Sequence, residues 1–336
     1  KYSAKEHDDY YFDSYNHSSI HEEMIKDRNR TNAYRDAILK HADEFRGKVV
    51  ADVGCGTGIL SFFCAEAGAR TVYAIDASGI ADYARQIVEC NKKSDVIKVI
   101  KGKVEEIELP EKVDIIVSEW MGYFLVFESM LDSVIVARDK WLKPDGIMYP
   151  ATAHMYLCPI TDDQYLADKI YWWKNVYGIN MTPMIPFAKK SWLDEPAVDP
   201  IEPELCLSEP CCFKTFDIKN VDVAHLKGWT EAFKVTTTTW ANVCGFVVFF
   251  DVDFEGKLGA ADPNKVTLST SPHAGPTHWK QTVLMLPSVM ELDAETSMEG
   301  TIAVKQNVEN PRWVDIEMDF KTDGLPHPTK RNFIFK

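Results

Sequence analysis

The chain has 336 residues, 46% of them hydrophobic and 26% charged, a balance that supports a sizeable buried core in one large or two ordinary domains. No run approaches the roughly 20 apolar residues of a membrane-spanning helix, and no charged and apolar leader opens the sequence, so neither a membrane nor a secreted protein is expected. A formal charge of −14 disfavours a nucleic-acid-binding surface and suits either basic partners or simple solubility.

Residues 31–46 set Ala33, Tyr34, Ala37, Ile38, His41 and Phe45 at helical spacing. Val49 to Val53 is a short apolar strand that stops in glycines. A second strand, Val72 to Asp76, precedes a helix that Ser78 can cap, with Ile80, Tyr83, Ala84, Ile87 and Val88 on one face and Asn91 at its end. Strands at Val96 to Ile100 and Val113 to Ser118 lead to a helix over 128–142, stopped by Pro144 and Gly146. Strand and helix in alternation predict parallel strands with right-handed crossovers, a Rossmann-like doubly wound α/β sheet.

Past residue 150 the period changes to two. Val314 to Phe320 has one wholly apolar face and Val247 to Phe254 ends in similar alternation, which predicts an antiparallel barrel or sandwich. Inside this region, residues 162–196 gather Tyr165, Ile170, Tyr171, Trp172, Trp173 and Tyr177 in a helix-like stretch, aromatic surface that suits an interface. The Pro/Glu-rich piece from Pro196 to Pro210 reads as a loop. The 8 cysteines include no C-x-x-C pair, so neither zinc nor a disulfide framework is expected, and a reducing compartment fits better.

Two constellations carry chemistry. Asp52, Gly54, Gly56, Thr57 and Gly58 form a strand running into G-x-G-x-G, where the backbone turns sharply and a ligand can approach without meeting a Cβ. Asp76 ends the next strand, where a carboxylate can accept both hydroxyls of an adenosine ribose. The loop departs from the dinucleotide G-x-G-x-x-G and looks like the methyltransferase version. Val104 and Glu105 follow a strand at the same edge and offer a backbone N–H and a carboxylate to an adenine, a weak signal alone.

The second constellation is Glu119 and Glu128, set at the two ends of an aromatic, largely uncharged loop. Carboxylates in such surroundings are costly unless a cation satisfies them. A guanidinium suits the pair, because its planar fork can be held bidentately. A divalent metal is the rival occupant, but no third oxygen ligand is obvious in the loop. A pair of solvated or helix-capping glutamates is the plainest alternative.

The segment from Ser118 to Met130 resembles the double-glutamate loop of the protein arginine methyltransferases, and the resemblance covers nearly the whole chain. Tyr11 to Tyr15, His21 to Asp27 and Arg30-Thr31 are similar to that family's N-terminal cofactor-covering helices. Thr277-His278-Trp279 resembles its T-H-W loop, and Tyr171-Trp172-Trp173 falls where its dimerisation arm lies. The wording is closest to the type I branch, members six and one among them, though Asp76 stands where a Glu is usual.

This resemblance implies S-adenosyl-L-methionine as cofactor, no metal, and transfer of methyl groups to arginines of histone tails or Arg/Gly-rich proteins, with asymmetric dimethylarginine as final product. It implies cofactor-covering helices over 1–32, a Rossmann-like domain over 33–150, and a β-barrel over 151–336 with an arm at about 162–196 that forms a homodimer. Glu119, Glu128, His278, Asp27 and Tyr15 would be catalytic. Met24, Met130, Trp279 and Glu23 would bind substrate, and Met24 favours the asymmetric product. Arg30, Asp52, Gly54, Gly56, Thr57, Gly58, Asp76, Ala77, Val104, Glu105, Tyr11 and Phe12 would bind cofactor. Residence in the nucleus or cytoplasm follows as an expectation. A small-molecule methyltransferase and a catalytically silent scaffold are the other readings; the first leaves barrel and arm unexplained, and the second would normally have lost a site residue.

Overall fold

Three helices open the described chain, which in this computed structural model comprises residues 4–323 and 327–336: α1 (Ala4–Ser14), α2 (Ser18–Lys26) and α3 (Arg28–Lys40). Asp27 separates the last two and caps α3, accepting a hydrogen bond from the Arg30 amide at 3.0 Å. The helix expected over 31–46 therefore starts earlier, breaks at His41, and resumes as a single turn, α4 (Ala42–Phe45). Tyr34, Ala37 and Ile38 are fully buried, the face that their spacing picks out.

Next come β1 (Val49–Val53), α5 (Ile59–Glu66), β2 (Thr71–Asp76), α6 (Ile80–Cys90), β3 (Ile97–Lys101), β4 (Val113–Val117), α7 (Met130–Trp141) and β5 (Leu142–Tyr149). The strands are all parallel in the order β3-β2-β1-β4-β5. β1 is buried along its whole length, as a central strand covered on both faces must be. The strand order reverses between β1 and β4, so a crevice opens beyond their carboxyl ends.

Two local expectations fail in this half. Ser78 does not cap α6: Gly79 occupies that place, and the Ser78 hydroxyl donates to Asp76 at 2.7 Å instead. Pro144 and Gly146 do not end a helix but lie inside β5. This is an edge strand with a register shift between its Leu142 and Ile147 pairings, where a missing proline N–H is tolerated.

The second half contains β6 (Thr152–Ile160), α8 (Asp163–Lys169), α9 (Ile185–Asp194), β7 (Ala197–Asp199), β8 (Cys211–Asp217), α10 (Val223–Leu226), β9 (Gly228–Thr236), β10 (Ala241–Phe254), β11 (Val266–Ser269), β12 (Gln281–Leu292), β13 (Ser297–Gln306), β14 (Val314–Thr322) and β15 (Thr329–Phe335). One antiparallel sheet runs β7-β12-β10-β6-β8 with β11 added on β10, and the other runs β15-β14-β13-β9. They face each other across a core in which Phe246 meets Phe233 and Phe320 edge-on at 5.9 and 5.2 Å between ring centroids.

β14 alternates buried and open residues as its sequence does, but β10 is buried on nearly every residue. The reason lies on its outer face: Cys244 and Val247 of β10 form a small second core with Cys158 and Val283, covered by Leu166 of α8 and Leu193 of α9. These helices are the inserted arm. Its Tyr171, Trp172, Tyr177 and Phe187 stay well exposed, whereas the side chain of Tyr165 lies outside the described part. The expected loop at 196–210 contains β7, whose Ala197, Val198 and Asp199 pair with β12. No helix among the described residues is long and apolar enough to cross a membrane.

Phe254 of β10 is fully buried between the halves, edge-to-face on Tyr34 of α3 at 4.7 Å. Phe254→Ala should cost about 3–5 kcal/mol in urea unfolding. Val308→Ala, at a site 94% exposed, should stay within about 0.5 kcal/mol. A Phe254→Ala loss below about 1 kcal/mol would mean that this contact does not hold the halves together.

Candidate active site

The glycine loop follows β1 because the chain must reverse there without side chains. Gly54, Gly56 and Gly58 have φ of +74°, +54° and +90°. A Cβ on Gly54 would stand 2.8 Å from the Met130 methyl, so glycine also allows the loop to approach the start of α7. Asp76, at the end of β2, accepts hydrogen bonds from the Gly56 amide at 2.9 Å and from the Ser78 amide and hydroxyl at 2.8 and 2.7 Å. A carboxylate has about four lone-pair sites, so acceptor capacity remains for a ligand.

A cavity of about 240 Å3 opens over this edge. Gly54, Gly56, Thr57, Asp76, Ala77, Val104 and Glu105 line it from the sheet, and Tyr11 and Phe12 line it from α1. Asp52 and Gly58 stand back from its wall. Gly58 supplies the left-handed residue that starts α5. Asp52 is fully buried beneath the loop, accepts from the Ser61 hydroxyl at 2.6 Å, and has its other oxygen unpartnered. Burial pushes its carboxyl up to about 7, against the pull of Ser61.

The two glutamates line the same cavity. Glu119 Oε2 accepts from Arg30 Nε at 3.0 Å and Nη2 at 2.9 Å, both side chains being only 7% exposed. Its Oε1 accepts from the Met121 amide at 3.2 Å, and Arg30 Nη1 donates to the Met24 carbonyl at 3.0 Å. The loop then folds tightly: a Cβ on Gly122 would lie 2.1 Å from the Phe127 carbonyl oxygen.

Glu128 has φ of +73° and accepts from the Tyr15 hydroxyl at 2.9 Å. Burial lifts its carboxyl above the usual range and nearby Glu119 adds to this, while the Tyr15 and Tyr11 hydroxyls pull the other way. Neither glutamate caps α7, whose N-cap Ser129 makes no side-chain cap. Among the described residues, no three His, Cys, Asp or Glu side chains converge as a metal site would require.

Across the cavity mouth, the loop before β12 meets the start of α3. Asp27 Oδ2 accepts from both the amide and Nδ1 of His278 at 2.8 Å. Burial raises the Asp27 carboxyl, but its hydrogen bonds from His278 and the Arg30 amide outweigh that and hold it low. The carboxylate therefore fixes the hydrogen on Nδ1 and leaves Nε2 as the basic nitrogen of neutral His278. His278, Trp279, Glu23, Met24 and Met130 all line the cavity, but Asp27 does not. Trp279 is 3% exposed and its indole N–H is committed to the Met121 carbonyl at 2.8 Å, so it also anchors barrel to loop.

Sequence reasoning missed His21, which lines the cavity, is buried, and donates from Nε2 to the Tyr15 carbonyl at 2.8 Å. Its spacing from Met24, one helical turn on, is the available signal. Lys103, also on the wall, gave no such signal.

The comparisons agree with this geometry. Residues 50–146 match a methyltransferase domain, and residues 151–325 match the arginine methyltransferase oligomerization subdomain. The chain belongs to the protein arginine methyltransferase family. The rice (Oryza sativa subsp. japonica) probable protein arginine N-methyltransferase 6.1 is 45% identical, with 95% of this chain and 87% of that protein covered. Protein arginine N-methyltransferase 1 of Schizosaccharomyces pombe is 47% identical over 93% of this chain and 89% of its own. The solved Trypanosoma brucei PRMT1 enzyme–prozyme heterotetrameric complex with AdoHcy superposes with a TM-score of 0.88 at 41% identity, covering 96% of this chain and all of that one. In this arginine methyltransferase the parallel sheet is the methyltransferase domain and the antiparallel half is the barrel that carries the oligomerization subdomain.

The two glutamates should respond unequally to neutralisation. Glu119→Gln leaves the buried Arg30 guanidinium without its counter-charge and should cost about 3 kcal/mol or more. Glu128→Gln removes a charge that burial already disfavours, keeps an acceptor for Tyr15, and should change stability by less than about 1 kcal/mol. Chemical denaturation at neutral pH reads both; equal losses would refute the assigned pairing.

Proposed function

We propose that the chain is a type I protein arginine N-methyltransferase that takes methyl groups from S-adenosyl-L-methionine and places them on guanidinium nitrogens of protein arginines. The observation that carries this reading is the Arg30–Glu119 contact. One wall of the cavity already holds a guanidinium on a carboxylate, and a second, desolvated carboxylate, Glu128, lies on the same loop without a direct cation.

The residues fit the cofactor. The open glycine loop accepts a close ligand, and Asp76 has acceptor capacity for the ribose. Arg30 suits the methionyl carboxylate. Val104 and Glu105 face the adenine end, and Tyr11 and Phe12 cover the ligand from α1. Bound there, S-adenosyl-L-methionine supplies a methyl carbon activated by a positive sulfur.

The side chains do the rest. Arginine is a poor nucleophile because its lone pairs are delocalised and its pKa exceeds about 12. Glu119 and Glu128 orient the guanidinium and draw its positive charge toward the nitrogens that do not react, leaving electron density on the one that does. This is positioning with preorganised electrostatics. The proton that the reacting nitrogen sheds would leave to Glu119 or toward His278, whose basic nitrogen Asp27 sets. Tyr15 fixes Glu128, Met24 and Met130 limit how many methyls fit, and Glu23 and Trp279 border the substrate side.

The charge of −14 favours basic tails, Arg/Gly-rich or histone-like. The exposed aromatic residues of the arm suit a homodimer in which each arm docks on its partner.

Incubation with methyl-labelled cofactor and an Arg/Gly-rich or histone-tail peptide should label the peptide, and Arg→Lys replacement in the peptide should abolish the label. Fragmentation of the product should give asymmetric dimethylarginine. Absence of transfer, or label that survives the replacement, would overturn the reading.

A further inference from the structure

Asp8 of α1 is held from both halves of the molecule. Lys103, just after β3, donates from Nζ to Asp8 Oδ2 at 3.0 Å. Arg312, in the turn between β13 and β14, donates from Nη2 to Asp8 Oδ1 at 2.6 Å. Burial raises the Asp8 carboxyl, but the hydrogen bonds from Lys103 and Arg312 more than offset it and hold the group low.

The same guanidinium reaches further. It lies over the Tyr11 ring with Cζ 3.7 Å from the centroid, and Nη1 donates to the backbone carbonyl of Glu128 at 2.8 Å. In return the Glu128 amide donates to the Arg312 carbonyl at 2.9 Å, and the Ser129 hydroxyl donates to the Pro311 carbonyl at 2.7 Å. Glu128 and Ser129 both have positive φ, +73° and +56°. Side-chain-bearing residues keep such a conformation only where the surroundings over-determine it. The Arg312 side chain is 17% exposed and does not line the cavity, so it acts on the site only through these neighbours.

We propose that Arg312 is a positioning residue that couples the covering of the cavity by α1 to the placement of Glu128. The helix over the cofactor side and the carboxylate on the substrate side are then one mechanical unit, and a substrate guanidinium meets a formed pocket only when α1 is latched. This rests on the function proposed above and names a residue outside its site.

Arg312→Ala, Arg312→Lys and Asp8→Asn in the full chain test it, with kcat, both KM values and the pH profile as readouts. Arg312→Ala should lower kcat on the order of 10- to 100-fold, the effect of a small misplacement of a reacting group. It should also move the acidic limb of kcat to higher pH, because a positive charge that favours ionised Glu128 is gone. Asp8→Asn loosens the latch itself, so it should raise the cofactor KM, whereas saturating cofactor holds α1 down again and keeps kcat within about twofold. Arg312→Lys keeps a charge for Asp8 but not the planar fork or the stacking, so it should restore the cofactor KM and not kcat.

Wild-type kcat and an unshifted acidic limb in Arg312→Ala would overturn the coupling, as would full rescue of kcat by Arg312→Lys. Should Arg312→Ala not fold, Arg312→Lys carries the same kcat test. If the wild type labels no peptide, the functional reading itself has failed. The latch is then read separately from S-adenosylhomocysteine affinity, which Asp8→Asn must weaken; unchanged affinity would overturn the latch.

Discussion

Two carboxylates withdrawn from water beyond the end of β4 need positive charge, and much of the molecule is arranged around that need. An ionised group in such a place either finds a cation or shifts toward its neutral form. Glu119 takes the first course with Arg30, whereas Glu128 shows the strain of the second in its raised carboxyl. Arg30 can reach Glu119 only because Asp27 starts α3 at the right place, and Asp27 is in turn held by His278 from the barrel half. One ion pair thus depends on the N-terminal helices, the parallel sheet and the barrel together.

The same charge logic connects stability to dynamics. The sheet beneath the site is densely packed, with β1 wholly buried, so the glycine loop and Asp76 sit on a rigid base. α1 is different. It leaves Tyr10 exposed and is fastened largely by rings and by the half-exposed Asp8. Elements held this way open at lower cost than a core strand, which is what a helix covering a ligand requires. A cavity with a rigid floor and a releasable helix along its wall can open without disturbing the sheet.

Local pattern in the sequence revealed the parts whose chemistry is local. Gly54, Gly56 and Asp76 announce themselves because a turn without Cβ atoms and a strand-ending acid are short-range features. Glu119 and Glu128 stand out against an uncharged aromatic loop, and β14 alternates as a strand with one buried face should. What stayed hidden was tertiary. Asp8 and Arg312 lie 304 positions apart, and nothing near either residue marks the other. Asp52 sits beside the glycine loop in sequence, yet the structure turns it inward to Ser61 rather than to the cavity wall. Pro144 looked like a helix stop because a bulge on an edge strand, where proline is equally at home, leaves no local signature. β7 escaped notice because its backbone pairing with β12, not its three side chains, makes it a strand.

The central claim is electrostatic: the second half of the cavity is built for a delocalised cation. Calorimetric binding of matched peptides to the complex with S-adenosylhomocysteine tests it most directly, using a peptide with one arginine and a copy with citrulline, which has nearly the same shape and no charge. The arginine peptide should bind at least about tenfold more tightly, a difference of about 1.4 kcal/mol, and Glu128→Gln should erase most of that advantage. Equal affinity for the two peptides in the wild-type protein would contradict the claim.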